Sequence, residues 1–186
     1  MVGAEGLAPL RRLVRPAPDG AKPSGDVVIF DASPWGGGAV LVRGRVVQEY
    51  FAVEWTEAVA AKTMALIGSS VGQTSWELHT LLLVLLVWGD HYQDRSLAVL
   101  GDNTASLQVA LTLKSSEALR RIAREFALHH ALKGWQYTVG HVPSELNLIA
   151  DALSRLRGSH ALGALPCLRK ARQVCAPCVA DFWRTS

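Results

Sequence analysis

The stretch SWELHTLLLVLLVWGDHYQ, residues 75–93, constrains the fold of this chain more than any other segment. Leu78, Leu81, Leu82, Leu85 and Leu86 recur at helical spacing, and apolar residues fill most positions between them. Such a helix has to be buried on nearly all sides. Ser75 reads as its N-cap. A helix of this kind cannot lie on a surface, so the chain must supply a covering layer, and a sheet is the simplest one. Its longest apolar run, Leu81 to Trp88, is far below the roughly 20 residues a membrane span needs, so no transmembrane helix and no membrane partner is expected.

The strands of that sheet are legible upstream and downstream. DVVIFDAS (26–33), GGGAVLVRGRVV (36–47, turning at Gly44) and QEYFAVEW (48–55) are β-branched or aromatic runs separated by short turns, which predicts an antiparallel meander. Residues 56–75 hold an apolar helical turn near Val59 to Ile67 and then the turn-prone GSSVGQTS. After the core helix come a buried strand (SLAVLGDN), a helix (TASLQVALTL), a capped amphipathic helix (SEALRRIAREFALHHAL), a strand (WQYTVGHV) and a last helix (SELNLIADALSRLR). This order predicts an α/β domain with a five-stranded mixed sheet, three antiparallel strands followed by parallel ones, flanked by helices.

At 186 residues and 49% hydrophobic content, one domain with a real core accounts for the chain. It is expected over residues 26–158. Residues 1–25, with Pro9, Pro16, Pro18 and Pro23, read as a flexible N-terminal linker, and 159–186 as a basic C-terminal tail. Residues 1–25 carry four basic and two acidic side chains and 157–186 five and one, whereas 26–156 hold ten basic and thirteen acidic. Basic ends around a slightly acidic body suit a protein that approaches a polyanion yet keeps carboxylates for metal ions. The N-terminus lacks a secretory signal, and all three cysteines lie in the last 20 residues, so a reducing intracellular setting, cytoplasmic or nuclear, is expected. Cys167, Cys175 and Cys178 with His160 have too irregular a spacing for a structural zinc site and read as incidental.

Four acidic residues hold special places in this layout: Asp31 and Asp102 end apolar strands, Glu77 falls in the first turn of the core helix, and Asp151 sits in the last helix. Neighbouring strands run about 4.8 Å apart, so two strand-end carboxylates would repel one another unless a cation neutralised them. Hard oxygen ligands with open positions suit Mg²⁺ or Mn²⁺, and a pair of such ions promotes phosphodiester cleavage. Taken singly, each acid has an ordinary explanation, a turn for a strand-end Asp or a dipole contact for a first-turn Glu.

DASPWGGGAVL, WELHTLL, GDNTASL and HVPSELNLIADALSR, in this order over roughly Asp26 to Arg157, resemble the four motifs of the ribonuclease H family. The ADALSR ending is similar in particular to the ribonuclease H domains of LTR- or DIRS-like retroelement reverse transcriptases. The resemblance implies a ribonuclease H-like fold and hydrolysis of the RNA strand of RNA-DNA hybrids, leaving 5′-phosphate and 3′-hydroxyl ends. It implies two Mg²⁺ ions, replaceable by Mn²⁺, on Asp31, Glu77, Asp102 and Asp151. His141 would assist proton transfer or product release, and Asn147 would orient a metal-bound group. Ser33, Asn103 and Thr104 would touch the hybrid, though turn and capping roles explain them nearly as well. A polymerase domain of the same polyprotein is the implied partner.

Arg120, Arg121 and Arg124 form a basic cluster, but Glu117 and Glu125 lie at pairing distance from Arg121 along a helix, which favours a solvated face. His79, His91, His129 and His130 read as ordinary structural or surface residues. With only Lys62, Lys114 and Lys133 in the core region, tight independent binding of a hybrid is not expected. A metal-dependent DNA nuclease and an inactive connection module are the competing functions; the ADALSR ending speaks against the first, the four intact acids against the second.

Overall fold

The computed structural model describes residues 22–156 and 165–185. Strands β1 (Lys22–Ala32), β2 (Gly36–Arg43) and β3 (Val46–Glu54) form the expected antiparallel meander, and β4 (Arg95–Gly101) and β5 (Tyr137–His141) add to it in parallel. A sixth, two-residue strand, β6 (Arg172–Gln173), pairs with β3 at Glu49 and Tyr50, giving the order β5-β4-β1-β2-β3-β6. The sheet is mixed α/β as predicted, but has six strands where the sequence predicts five.

Among the described residues six α-helices accompany the sheet: α1 (Glu57–Thr63), α2 (Gln73–Trp88), α3 (Thr104–Thr112), α4 (Arg120–Lys133), α5 (Leu148–Ser154) and α6 (Val179–Phe182). Strand alternation sends side chains to both faces. Val28, Phe30, Ala39, Leu41 and Phe51 face the large core around α2, whose Leu78, Leu81, Leu82 and Leu85 are fully buried. Val40, Tyr50 and Ile29 face a smaller core with Leu153 of α5 and Leu168. Helix α2 is therefore covered by the sheet and by neighbouring helices, and α5 closes the opposite face. Among the described residues no helix is long and apolar enough to cross a membrane.

Three expectations are corrected. The linker expected at 1–25 lies outside the described residues as far as residue 21, and Lys22 to Gly25 already belong to β1, where Lys22 and Pro23 pair with Arg95 and Ser96. The segment expected as a basic tail packs on the domain over its described part: Leu168, Val179 and Phe182 are buried, and Arg172 bonds Glu49. His160 lies outside the described residues, and the three cysteines are exposed and join no metal-ligating group among them.

The third correction concerns Glu125, expected as a surface partner of Arg121. Its carboxylate is wholly buried and accepts from the backbone N–H groups of Arg184 and Thr185, both at 2.8 Å. His129 Nε2 lies 3.0 Å from both Glu125 Oε1 and the Phe182 carbonyl. The N–H groups of Arg184 and Thr185 thus meet a buried acceptor, as burial of a polar group requires. On the surface, Glu117 pairs with Arg120.

Candidate active site

Asp31 is the penultimate residue of β1 and Asp102 immediately follows β4. These strands are parallel neighbours, and Ile29 pairs with Leu100, two residues before each aspartate, so both carboxylates emerge at the same sheet end. Asp31 is buried and Asp102 half-buried. Glu77 reaches them from α2. That helix starts at Gln73, after Gly72 adopts a left-handed φ of 109°, and Ser75 caps nothing: it is buried within the helix. Gly72 is the residue type that takes this backbone without strain, which moves the helix start ahead of the Ser signal. Glu77 accordingly stands beyond the first turn, and a helix-dipole contact no longer explains it.

The Glu77 carboxylate is held at one oxygen only. Ala32 N and Gln73 Nε2 donate to Oε1 at 3.2 and 3.1 Å, while Oε2 is buried with no hydrogen-bond partner among the described residues. One ligand atom from each of Asp31, Glu77 and Asp102 lies within 4.8 Å of the others. Burial, then the nearby charges of Asp102 and Asp151, push the Asp31 carboxyl up to about 7 against the hydrogen bond from Ser154. Burial and the charges of Asp31 and Asp102 hold Glu77 well above the ordinary carboxylate range. Asp31 and Glu77, both pushed up, stand with Asp102 in an all-oxygen donor set, one oxygen of it buried without a partner among the described residues, that a divalent cation of the Mg²⁺ or Mn²⁺ type fits.

Asp151 is not in that set of three. Its side chain bonds Arg155 at 2.7 Å on the outer side of α5, yet it is near enough to raise Asp31. Asn147, at the junction of a 3-10 turn with α5, donates from Nδ2 to the Phe30 carbonyl at 3.1 Å and to Asp31 Oδ1 at 3.3 Å. His141 ends β5 half-buried, paired in register with Gly101 and so beside the strand that leads into Asp102.

Of the proposed hybrid contacts, Ser33 is buried, donates to the Ser154 carbonyl at 2.7 Å and receives the N–H groups of Trp35 and Gly36, so its hydroxyl shapes a turn. Asn103 caps α3 by accepting from Ser106 N at 2.9 Å, and Thr104 is exposed at the first turn of that helix.

Besides Arg155, three further side chains that touch the acids were not singled out from the sequence. Gln73 holds Glu77 and also donates to the Ala32 carbonyl at 2.5 Å; Ser144 Oγ donates to Asp102 Oδ2 at 2.7 Å; Ser154 Oγ donates to Asp31 Oδ2 at 2.7 Å. Gln73 stands four residues before Glu77, a helical spacing that becomes readable only once the helix starts at Gly72.

No protein-family model matches the sequence, and no curated protein does. Among solved structures, LC11-RNase H1 in complex with an RNA/DNA hybrid is similar at 14% identity and a TM-score of 0.48, covering 69% of this chain and 92% of that one. LC11-RNase H1 isolated from compost by a metagenomic approach gives 16%, 0.48, 69% and 91%. RNase H1 of the halophilic archaeon Halobacterium salinarum NRC-1 gives 21%, 0.42, 75% and 98%. At these values the likenesses carry no functional argument, and the chain's own geometry has to.

Proposed function

We propose that the chain is an endonuclease that hydrolyses the RNA strand of RNA-DNA hybrids with divalent cations held by its acidic cluster. The observation that carries this reading is the convergence of Asp31, Glu77 and Asp102, from two strand ends and a core helix, within 4.8 Å, with Glu77 Oε2 buried and unpartnered. Divalent ions there, two of Mg²⁺ or Mn²⁺ in this reading, would supply charge neutralisation and activation of water for phosphodiester hydrolysis.

Asp31, Glu77 and Asp102 hold the cation, and Asp151, whose charge already acts on Asp31, completes the acidic set at its outer side. Asn147 orients Asp31 through Oδ1. His141, next to the strand leading into Asp102, is placed to accept or return a proton as product leaves. Asn103 and Thr104 present the start of α3 to the hybrid, where 2′-hydroxyl groups distinguish RNA from DNA. The His141, Asn147 and Asp151 spacing and the ADALSR ending support a place in a retroelement reverse transcriptase, with a polymerase domain as partner.

The test is cleavage of a labelled RNA-DNA hybrid beside single-stranded RNA, duplex RNA and duplex DNA, each with Mg²⁺ or Mn²⁺. The reading predicts cutting of the hybrid's RNA strand alone. Cutting of duplex DNA would replace it with a DNA nuclease, and cutting of nothing, with or without a polymerase domain added, would replace it with a connection module.

A further inference from the structure

Ser154 closes α5 at the buried side, 1% exposed, and its hydroxyl lies 2.7 Å from Asp31 Oδ2 and 2.9 Å from the Asp151 carbonyl. A serine hydroxyl has one proton, so it donates to one of these acceptors at a time, and the bond to Asp31 is the shorter. The backbone of the same residue receives the Ser33 hydroxyl at 2.7 Å. Ser154 therefore ties the strand that carries Asp31 to the helix that carries Asp151.

From the other end of α5, Asn147 holds Oδ1 of the same carboxylate at 3.3 Å. With one donor on each oxygen, the Asp31 carboxyl is held at both ends, within 4.8 Å of ligand atoms of Glu77 and Asp102. Removing the Asn147 contact alone would leave the shorter of the two bonds in place.

We infer that Ser154 is a positioning residue of the cation site: its hydroxyl orients Asp31 as a metal ligand and sets its distance from Asp151. The inference rests on the reading of the acidic cluster as a divalent-cation site, and adds to it the residue that pre-organises its most buried aspartate. Groups that hydrogen-bond a metal ligand from behind tune affinity because a ligand already in its bound orientation loses less freedom on binding.

Mn²⁺ binding to the whole chain, followed by the paramagnetic resonance of the free ion, tests it without substrate, with unfolding temperature in chelator measured in parallel. Ser154→Ala is expected to bind Mn²⁺ about 10- to 100-fold more weakly than the wild type, whereas Ser154→Thr, which keeps the hydroxyl, stays within about threefold. Ser33→Ala serves as control: it removes a bond of equal length to the same helix end without touching Asp31, and is expected to lower the unfolding temperature with affinity within about threefold.

Affinity unchanged in Ser154→Ala, Thr binding as weakly as Ala, or Ser33→Ala losing as much as Ser154→Ala would each overturn the inference. Hybrid cleavage by the wild type is scored separately. Mn²⁺ binding without cleavage would remove the nuclease reading and leave Ser154 its role, and absence of Mn²⁺ binding in the wild type would remove both.

Discussion

Asp31 is the side chain on which the site's electrostatics converge. In the folded chain it keeps its proton up to about pH 7, and its ordinary value is 3.8. Between those values the folded state binds more protons than the unfolded one, so stability falls as pH rises through the window. In chelator the unfolding temperature should decline from about pH 4 to about pH 7, and Asp31→Asn should flatten much of that decline. Mn²⁺ opposes it, because it binds the ionised form, and should raise the midpoint more at the higher pH; thermal unfolding with and without the ion checks both signs. Glu77→Gln removes a buried carboxyl that resists ionisation and has no partner on one oxygen among the described residues. It should stabilise the protein in chelator while lowering Mn²⁺-dependent hybrid cleavage more than about 100-fold, since it deletes a ligand and not merely a ligand's support. Asp31 and Asp102 were legible in the sequence because each interrupts an apolar strand at its end. Ser144, Ser154 and Gln73 were not: their roles depend on which atoms meet across the fold, over 121 residues of chain in the bond of Ser33 to Ser154, and serine and glutamine carry no signal of their own in a polar loop or helix end.

Among the elements, α5 is the one whose placement decides the geometry of the acids. It can sit this close to the sheet because β2 begins with glycines: a Cβ on Gly38 would stand 2.4 Å from Leu153 Cβ and 2.8 Å from Ser154 N. The second contact is backbone and cannot rotate away. Gly38→Ala should therefore shift α5 off the sheet, and with it Asp151 and the Ser154 bond to Asp31. A misplacement of about 1 Å at a reacting centre can cost on the order of 100-fold, so hybrid cleavage should fall steeply while circular dichroism shows the fold retained. The three meander strands, α2, β4, α4 and β5 were readable because long periodic runs bounded by turns specify them. The C-terminal elements were not: a two-residue strand and a four-residue helix are too short to show a period, and Val179 and Phe182 make a single turn's pair. Phe182→Ala should destabilise the protein by about 3–5 kcal/mol in a chemical denaturation, leaving Mn²⁺ affinity unchanged, because its ring packs beside His79 and His129 and not against the acids.

For the molecule as a whole, the proposed activity requires an acidic cluster to be reconciled with a polyanionic substrate. Residues 26–156 carry more acidic than basic side chains, so attraction to a hybrid depends on local cations. With Glu125 buried and Glu117 engaged with Arg120, Arg121 and Arg124 stand exposed on α4. Reversing both to glutamate should raise KM for the hybrid about tenfold at low salt, much less at high salt, and leave kcat in place, as expected for contacts that gather phosphates without taking part in chemistry. The central claim is that the three convergent carboxylates make a cation-dependent hydrolase of hybrid RNA. The most direct measurement is the product ends formed from a labelled hybrid by the wild type and by Asp102→Asn, in Mn²⁺ and in chelator. RNA fragments with 5′-phosphate and 3′-hydroxyl ends, formed by the wild type in Mn²⁺ alone and lost in Asp102→Asn, are the predicted result. Cleavage that persists in chelator or in Asp102→Asn, or that leaves cyclic phosphate ends, would contradict it.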